Sequence, residues 1–289
     1  MMAETIDIEG LRAIADRFDH VLLDQWGTLH EGRAIFPAAG DCVVRLRQAG
    51  KRVLVLSNSG KRAAGNATRL AALGLPPDAY DGILTSGEVT WRGLKAQTQK
   101  PFTGLGRSCF LITRGGDHTI VDGLDLHIVA DVWRADFLLL AGLDDAVAEP
   151  EHWRACLTDA ARRGLPMLCA NPDLAMFGAT GLIPAPGAVA RFYETLGGQV
   201  NYVGKPHPPI FAAASEQLGQ PDPARVLMIG DSLDHDVAGA RRVGMLTLLL
   251  KSGVHREPAR NSPGEVLTSR KPAGASAPMP HWTMHHLAW

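Results

Sequence analysis

Short apolar runs alternate with segments of helical periodicity along most of this chain. In the first hundred residues, the runs at 21–23, 51–57 and 82–86 each end in a polar or glycine-containing turn. A continuous apolar run bounded by such a turn is typical of a buried strand in a parallel sheet. Helical patterns follow these runs from Pro37, from about residue 63 and from Glu88. The alternation predicts a parallel sheet with helices on both faces.

The alternation restarts after 101–107, a segment with two glycines that reads as a linker. Strands are predicted at 109–114, 136–143 and 165–170, and helices at 149–163 and 186–196. The first pattern then resumes with strands at 200–203, 226–229 and 246–250. We therefore predict an α/β protein with a doubly wound core in two parts, residues 1–99 and 200–289, and an inserted α/β domain at 100–199.

The two ends of the chain carry their own signals. Residues 8–19 have the apolar spacing of a short amphipathic helix. Residues 256–280 are rich in Pro, Ser, Gly and Ala, which predicts an extended or poorly ordered segment. The final stretch, 281–289, contains two tryptophans, and we expect it to dock back on the body of the protein.

Composition narrows the class of protein. Of the 289 residues, 46% are hydrophobic and 20% charged, and the net charge is −1, which is typical of a soluble globular protein. The chain lacks the surplus of basic residues that would indicate nucleic acid or an anionic membrane as a partner. The first ten residues lack the apolar core of a signal peptide. The four cysteines are scattered without a Cys-x-x-Cys pair, so we expect free thiols and a cytoplasmic location.

Polar side chains follow four strands of the predicted core. They are Asp24, the pair Ser57 and Asn58, Lys205, and Asp231 with Asp236 nearby. Because the carboxyl ends of parallel strands meet at one edge of a sheet, we expect these side chains to converge. Carboxylates suit Mg²⁺, while an ammonium and a hydroxyl suit phosphate oxygens. The set predicts phosphoryl transfer, with Asp24 as the attacking carboxylate.

Several of these residues also have simpler interpretations. Asp24 alone could cap a turn, and Lys205 before Pro206 could be a solvated lysine. Asp236 could favour a helix dipole rather than support Lys205. Asn171 and Asp173 could form an Asx turn around Pro172, or could contact a substrate.

Four segments, in this order, resemble the four motifs of the haloacid dehalogenase superfamily: VLLDQWGTLHEG, VLVLSNSG, VGKPHPPIF and VLMIGDSLDHD. The insert between the second and third motifs resembles a C2-type cap domain, including its ANPD turn, which contains Asn171 and Asp173, and its PAPGAVARFYETLGG helix. The chain is thus similar to the class IIA, NagD-like hydrolases, over about residues 20–254. The resemblance implies a Rossmann-like core and a Mg²⁺-dependent phosphatase that acts on a small phosphorylated metabolite, such as a sugar phosphate, a nucleotide or an acyl phosphate.

The resemblance also implies roles for individual residues. Asp24 would be the nucleophile, through an aspartyl-phosphate. Ser57 and Asn58 would bind phosphate, Lys205 would steady both nucleophile and phosphate, and Asp236 would support Lys205 or a metal-bound water. The metal ligands would be the Asp24 and Asp231 carboxylates and the backbone carbonyl of Trp26. Asn171 and Asp173 are candidates for substrate contact from the cap, through which a homodimer could form.

Position 26 departs from the pattern of the family. Most phosphatases of this superfamily have Asp-x-Asp in the first motif, whereas the second acid is replaced here by Trp26. An indole cannot give a proton to a leaving alkoxide, and loss of a general acid typically slows a reaction by about 10²–10⁴. We therefore expect weak turnover of ordinary sugar phosphates unless His30 or a cap residue supplies the proton. Hydrolysis of acyl phosphates and anhydrides should be slowed less.

Two rival functions follow from the same position. The chain could be a phosphate-ligand-binding protein that keeps the fold and hardly turns over. It could instead be a metal-free C–halogen hydrolase, because aromatic residues also occur at this position in that branch of the superfamily. Asp231 argues against the second rival, since a metal ligand would be redundant there.

Overall fold

The computed structural model describes residues 5–179, 181–252 and 279–289 of the chain. In chain order its strands are β1 Ile6–Asp7, β2 His20–Leu23, β3 Arg52–Ser57, β4 Gly82–Thr85, β5 Ser108–Ile112, β6 His127–Ile128, β7 Phe137–Leu140, β8 Pro166–Cys169, β9 Ala175–Gly178, β10 Gly181–Pro184, β11 Gln199–Tyr202, β12 Val226–Gly230, β13 Leu246–Leu250 and β14 Trp282–Met284.

The helices begin mostly at residues that favour a first turn. Proline opens α1, α5 and α6, and the Thr85 side chain caps α3 by accepting a hydrogen bond from Glu88 N–H. The helices are α1 Pro37–Gln48, α2 Ala63–Ala72, α3 Ser86–Ala96, α4 Arg154–Arg162, α5 Pro186–Thr195, α6 Pro208–Gln217 and α7 Ala238–Arg242. None of the helices in the described ranges is both long and apolar enough to cross a bilayer.

The chain divides into two compact units. The first contains Met1–Ser57, Ala64–Leu84 and Lys205–Trp289, and the second contains Asn58–Ala63 and Thr85–Gly204. Each unit is built around a parallel sheet, which confirms the predicted α/β class.

The sheet of the first unit has seven strands in the order β1-β14-β13-β12-β2-β3-β4. Strands β12, β2 and β3 lie side by side and parallel, with Leu23 opposite Ile229 on one side and Val55 on the other. The apolar residues of β2 and β12 are fully buried, as the continuous runs of Val, Leu and Ile predict. The carboxyl ends of these three strands therefore meet at one edge of the sheet.

The C-terminal stretch docks on the first unit, as its aromatic residues predict. Strand β14 adds to the edge of β13 in parallel register, and β1 pairs with β14 on its other side. Trp282 and Met284 are buried there. The predicted extended segment at 256–280 lies outside the described residues except for its last two.

The second unit contains a five-stranded parallel sheet in the order β11-β8-β7-β5-β6. Helices α4 and α5 pack on it through Leu157, Val189 and Tyr193, which belong to one buried apolar cluster with β7 and β8. The predicted strand at 200–203 belongs to this sheet, as β11 beside β8, and not to the sheet of the first unit.

Two details of the fold differ from what periodicity alone indicates. The amphipathic segment at 8–19 is helical over Leu11–Arg17, in the 3₁₀ conformation. An antiparallel hairpin, β9 with β10, was not predicted. Its strands have only four residues each, and they lack the alternation of apolar and polar positions that marks a half-buried strand.

Candidate active site

The candidate site of the first unit begins at the carboxyl ends of β2 and β12. Asp24 follows β2 directly, and its backbone N–H donates to the Ile229 carbonyl, 2.9 Å away. Asp231 follows β12, whose last residue is Gly230. Adjacent parallel strands thus place both carboxylates at the same edge of the sheet, and both residues are buried.

Lys205 connects two of the carboxylates. Its Nζ lies 2.5 Å from Asp24 Oδ1 and 2.7 Å from Asp236 Oδ1, and its side chain is 3% exposed. An ammonium this deeply buried requires charged partners, because isolated charges are very unfavourable away from water. The structure therefore brings together Asp24, Lys205 and Asp236, which lie far apart in the sequence.

Asp236 is held from a second direction. It lies in a short π-helix, Leu233–Val237, and its Oδ2 accepts a hydrogen bond from the backbone N–H of Ser232 at 3.1 Å. Its contact with Lys205 favours the predicted supporting position over a simple interaction with a helix dipole. Ser232 is also the N-cap residue of this helix, because its side chain accepts a hydrogen bond from the His235 N–H.

Three acidic groups form one buried cluster. Single carboxylate oxygens of Asp24, Asp231 and Asp236 all lie within 4.8 Å of one another. If all three are ionised, the ammonium of Lys205 leaves two negative charges uncompensated. A divalent cation would balance them, and it would find the hard oxygen ligands it prefers. The donor set therefore fits a divalent metal ion.

The pKa values of the cluster reflect the same electrostatics. Burial raises the pKa of the Asp24 carboxyl to about 6, against the opposing effect of the Lys205 ammonium. Burial also raises the pKa of Asp236. For Lys205, burial favours the neutral amine, but the carboxylates of Asp236 and Asp24 outweigh that effect and raise the pKa of the ammonium.

Ser57 ends β3, beside β2, and is buried. The register pairs Val55 with Leu23, so Ser57 and Asp24 lie at neighbouring strand ends. The side chain of Ser57 therefore belongs to the same edge of the sheet as the acidic cluster.

Trp26 and His30 pack together in the turn after β2. Their rings meet edge to face with centroids 5.3 Å apart, and Trp26 also lies against the main chain of Gly32. His30 Nδ1 accepts a hydrogen bond from the Gly32 N–H at 3.0 Å, and burial lowers the pKa of His30 to about 4. At neutral pH His30 is therefore an uncharged imidazole, which is a poor proton donor.

Asn58, Asn171 and Asp173 belong to the second unit, where they form one network. Asn58 Nδ2 donates to Asp173 Oδ1 at 2.8 Å, and the Asp173 N–H donates to Asn171 Oδ1 at 3.0 Å. The second bond is the predicted Asx turn around Pro172. A Cβ at Gly204 would lie 2.6 Å from Asn58 Oδ1, so only glycine allows this close approach immediately before Lys205.

Comparisons with known proteins agree with this geometry. A family model described as haloacid dehalogenase-like hydrolase matches residues 21–127, and one described as HAD-hydrolase-like matches residues 202–272. A solved hydrolase of the haloacid dehalogenase-like family from Brucella suis 1330 is 34% identical, covers 97% of this chain and 99% of its own, and has a TM-score of 0.82. Chronophin from Bos taurus is 31% identical over 272 residues, 84% of each chain. The chain therefore belongs to the haloacid dehalogenase-like hydrolase family, and it is a hydrolase.

Two further solved structures have a similar fold. The glycerol phosphate phosphatase of Mycobacterium tuberculosis, solved in complex with calcium, is 25% identical, covers 83% of this chain and 68% of its own, and has a TM-score of 0.65. NagD from Escherichia coli K-12, with a TM-score of 0.68 over 92% of this chain and 96% of its own, is 22% identical and shows the likeness of fold alone.

Gly230 gives a test of how the cluster is assembled. A Cβ at this position would overlap the Asp236 carboxylate, so Gly230→Ala should push Asp236 away from Lys205. We expect the substitution to lower the free energy of unfolding by about 1–3 kcal/mol, measured by urea denaturation. Gly40→Ala is the matched control. Gly40 lies in α1, and a Cβ there would be 3.5 Å from the Ile35 side chain, which is an ordinary van der Waals contact. A Gly230→Ala protein as stable as the parent would contradict this assembly.

Proposed function

We propose that this protein is a Mg²⁺-dependent phosphatase, which transfers the phosphoryl group of a small phosphorylated metabolite to Asp24 and then to water. The observation that carries the proposal is the buried group of Asp24, Asp231, Asp236 and Lys205. Three carboxylates with one ammonium form an incomplete charge balance, which a divalent ion completes. The named activity of the mycobacterial relative, a glycerol phosphate phosphatase, supports the same reaction class.

The metal would be held by the carboxylates of Asp24 and Asp231 and by the backbone carbonyl of Trp26. When bound, the ion would neutralise phosphate oxygens. Lys205 adds a further positive charge there, since its position between Asp24 and Asp236 is fixed by two short hydrogen bonds. Ser57, and Asn58 after it, would donate hydrogen bonds to the remaining phosphate oxygens.

Asp24 would act as the nucleophile. The bond from one of its carboxylate oxygens to phosphorus forms while the bond from phosphorus to the leaving oxygen breaks, and the leaving group takes a proton from solvent. Water then attacks phosphorus, the Asp24–phosphorus bond breaks, and inorganic phosphate is released with the carboxylate restored. Lys205 holds one oxygen of Asp24 throughout, which keeps the carboxylate oriented.

Asp173 has a supporting position in this proposal. Because it accepts a hydrogen bond from Asn58, it orients the amide that would meet the phosphate. Direct contact of Asn171 or Asp173 with the substrate, a homodimer through the inserted domain and a cytoplasmic location stay predictions of the sequence.

Metal removal tests the proposal against its rivals. Hydrolysis of p-nitrophenyl phosphate should require Mg²⁺, fall at least about a hundredfold in excess EDTA, and return when Mg²⁺ is added back. Turnover that persists in EDTA, together with halide release from a haloacid, would favour the metal-free C–halogen hydrolase. Tight binding of phosphorylated ligands without turnover of p-nitrophenyl phosphate or acetyl phosphate would favour a binding protein.

A further inference from the structure

The turn after β2 contains two buried polar side chains to which the steps proposed above give no role, those of Gln25 and His30. Gln25 lies between Asp24 and Trp26 in the sequence, and His30 ends the turn. All four residues belong to the first unit. Because buried polar groups are nearly always hydrogen-bonded, their partners show which parts of the turn they hold in place.

The backbone of the turn is closed by hydrogen bonds between its two ends. The Gln25 carbonyl accepts from the N–H of Leu29 at 2.9 Å and from that of His30 at 3.4 Å. The N–H of Gln25 donates to the carboxylate of Asp24. The orientation of that carboxylate therefore depends on the position of Gln25.

One peptide group of this turn carries the proposed carbonyl ligand of the metal. The peptide between Trp26 and Gly27 has the Trp26 carbonyl on one side and the Gly27 N–H on the other, and a planar trans peptide points them in opposite directions. The Gly27 N–H donates to the His30 carbonyl at 2.9 Å, so the position of His30 fixes the direction of the Trp26 carbonyl. The ring of His30 also packs edge to face on the indole of Trp26. His30 therefore holds Trp26 through both its backbone and its side chain.

The imidazole of His30 has one tautomer that fits its surroundings. Its Nδ1 accepts a hydrogen bond from the Gly32 N–H at 3.0 Å, so this nitrogen carries no proton. The proton of the neutral ring is then on Nε2, which is a donor. His30 Nε2 lies 3.2 Å from the amide of Gln25, so Gln25 has to accept this hydrogen bond.

The acceptor on Gln25 is its amide oxygen. The structure turns Nε2 of Gln25 toward the imidazole, which would oppose two N–H donors and leave Oε1 buried with no hydrogen-bond partner among the described residues. A half-turn of the carboxamide exchanges the two atoms and pairs Oε1 with the His30 N–H, because the two ends of an amide have nearly the same shape. The side chain of Gln25 is thereby tied to His30, while its backbone is tied to Asp24.

We propose that Gln25 and His30 are positioning residues, which hold the Asp24 carboxylate and the Trp26 carbonyl in the arrangement that binds the metal. The inference rests on the proposed phosphatase function, and it gives His30 a role other than proton donation. Residues that orient metal ligands without touching the ion commonly contribute about ten- to a hundredfold to metal affinity or activity. The pair acts on the metal and on the nucleophile, and not on the binding of substrate.

Two substitutions of similar shape remove the bond between Gln25 and His30. Gln25→Met keeps the length of the side chain without its amide, and His30→Phe keeps a flat ring against Trp26 without its nitrogens. The Kd for Mg²⁺, measured without substrate from the rise of Tm with Mg²⁺ concentration, should increase about tenfold or more in each variant. At saturating Mg²⁺ the kcat on p-nitrophenyl phosphate should fall about tenfold or more, whereas KM should stay within about threefold of the parent value.

A double variant and a control separate this role from a general loss of stability. Because both substitutions remove the same hydrogen bond, the double variant Gln25→Met/His30→Phe should bind Mg²⁺ about as weakly as the weaker single variant, without multiplying the two effects. His20→Phe is the matched control, since His20 begins β2, at the end of the strand away from Asp24. It should keep the parent Kd for Mg²⁺. If Gln25→Met and His30→Phe lower only the free energy of unfolding, the role of the pair is structural and the inference is wrong.

The tautomer of His30 gives a test that needs neither metal nor substrate. Long-range ¹H–¹⁵N NMR spectra of the metal-free parent at neutral pH should show a protonated Nε2 and an unprotonated Nδ1. In Gln25→Met the Nε2 signal should shift, since its acceptor is gone. A proton on Nδ1 would overturn the assignment, and this measurement uses the parent protein, so it decides even if the variants fail to fold. An Nε2 signal that Gln25→Met leaves unchanged would overturn it as well.

The outcomes distinguish this inference from the proposed function. If the parent binds Mg²⁺ and hydrolyses p-nitrophenyl phosphate, but both single variants bind Mg²⁺ as tightly as the parent, the positioning role is wrong and the phosphatase stands. If the parent binds no Mg²⁺ and hydrolyses neither p-nitrophenyl phosphate nor acetyl phosphate, the phosphatase proposal fails, and the role given to Gln25 and His30 fails with it.

Discussion

Asp24→Asn is expected to abolish phosphate ester turnover, with kcat reduced by at least about 10⁴-fold. The carboxamide keeps the size of the side chain but lacks the negative oxygen that attacks phosphorus. It also removes one of the two carboxylates that would hold the cation. The measurement is phosphate release from p-nitrophenyl phosphate at saturating substrate and Mg²⁺.

The same substitution should reduce the stabilisation of the folded protein by Mg²⁺. A ligand that binds the folded state raises its stability by RT ln(1 + [L]/Kd), where [L] is the free ligand concentration. Added Mg²⁺ should therefore raise the Tm of the parent and have a smaller effect on Asp24→Asn. Asp78→Asn is the matched control, because Asp78 is exposed and lies outside the cluster. If Asp24→Asn retains more than a tenth of the parent kcat, Asp24 is not the nucleophile.

The sequence predicted the edge of the first sheet well because its signal is local. Each of β2, β3 and β12 is a continuous apolar run followed at once by a polar residue, and a parallel sheet brings such ends together whatever their separation in the chain. Asp24, Ser57 and Asp231 were found in this way. The Lys205–Asp24 contact then follows from charge, since a buried ammonium needs a carboxylate.

Features set by long-range packing were not predictable in this way. The run at 200–203 is a short strand pattern that Asn201 interrupts, and nothing local shows that it pairs with β8. The role of Gly230 depends on Asp236 arriving from a following π-helix, and that of Gly204 depends on Asn58, distant in the sequence. A glycine in a sequence does not show which side chain needs its space.

Leaving groups decide what an enzyme with Trp26 can do. Cleavage of an alkyl phosphate produces a strongly basic alkoxide, which needs a proton in the transition state, whereas an acyl phosphate releases a weakly basic carboxylate. His30, the candidate replacement donor, is neutral at the pH of the assay and accepts a hydrogen bond at Nδ1. We therefore expect acetyl phosphate to be hydrolysed at least about a hundredfold faster than glucose 6-phosphate.

Trp26→Asp should narrow that difference by placing a carboxylic acid two residues after the nucleophile. The expected gain on glucose 6-phosphate is about 10²–10⁴-fold, the usual contribution of a general acid, with a much smaller change on acetyl phosphate. Trp26→Phe is the matched control, because it also disturbs the packing against His30 and Gly32 but supplies no proton. Equal and rapid hydrolysis of both substrates by the parent protein would show that another group already donates the proton, and the leaving-group argument would then be wrong.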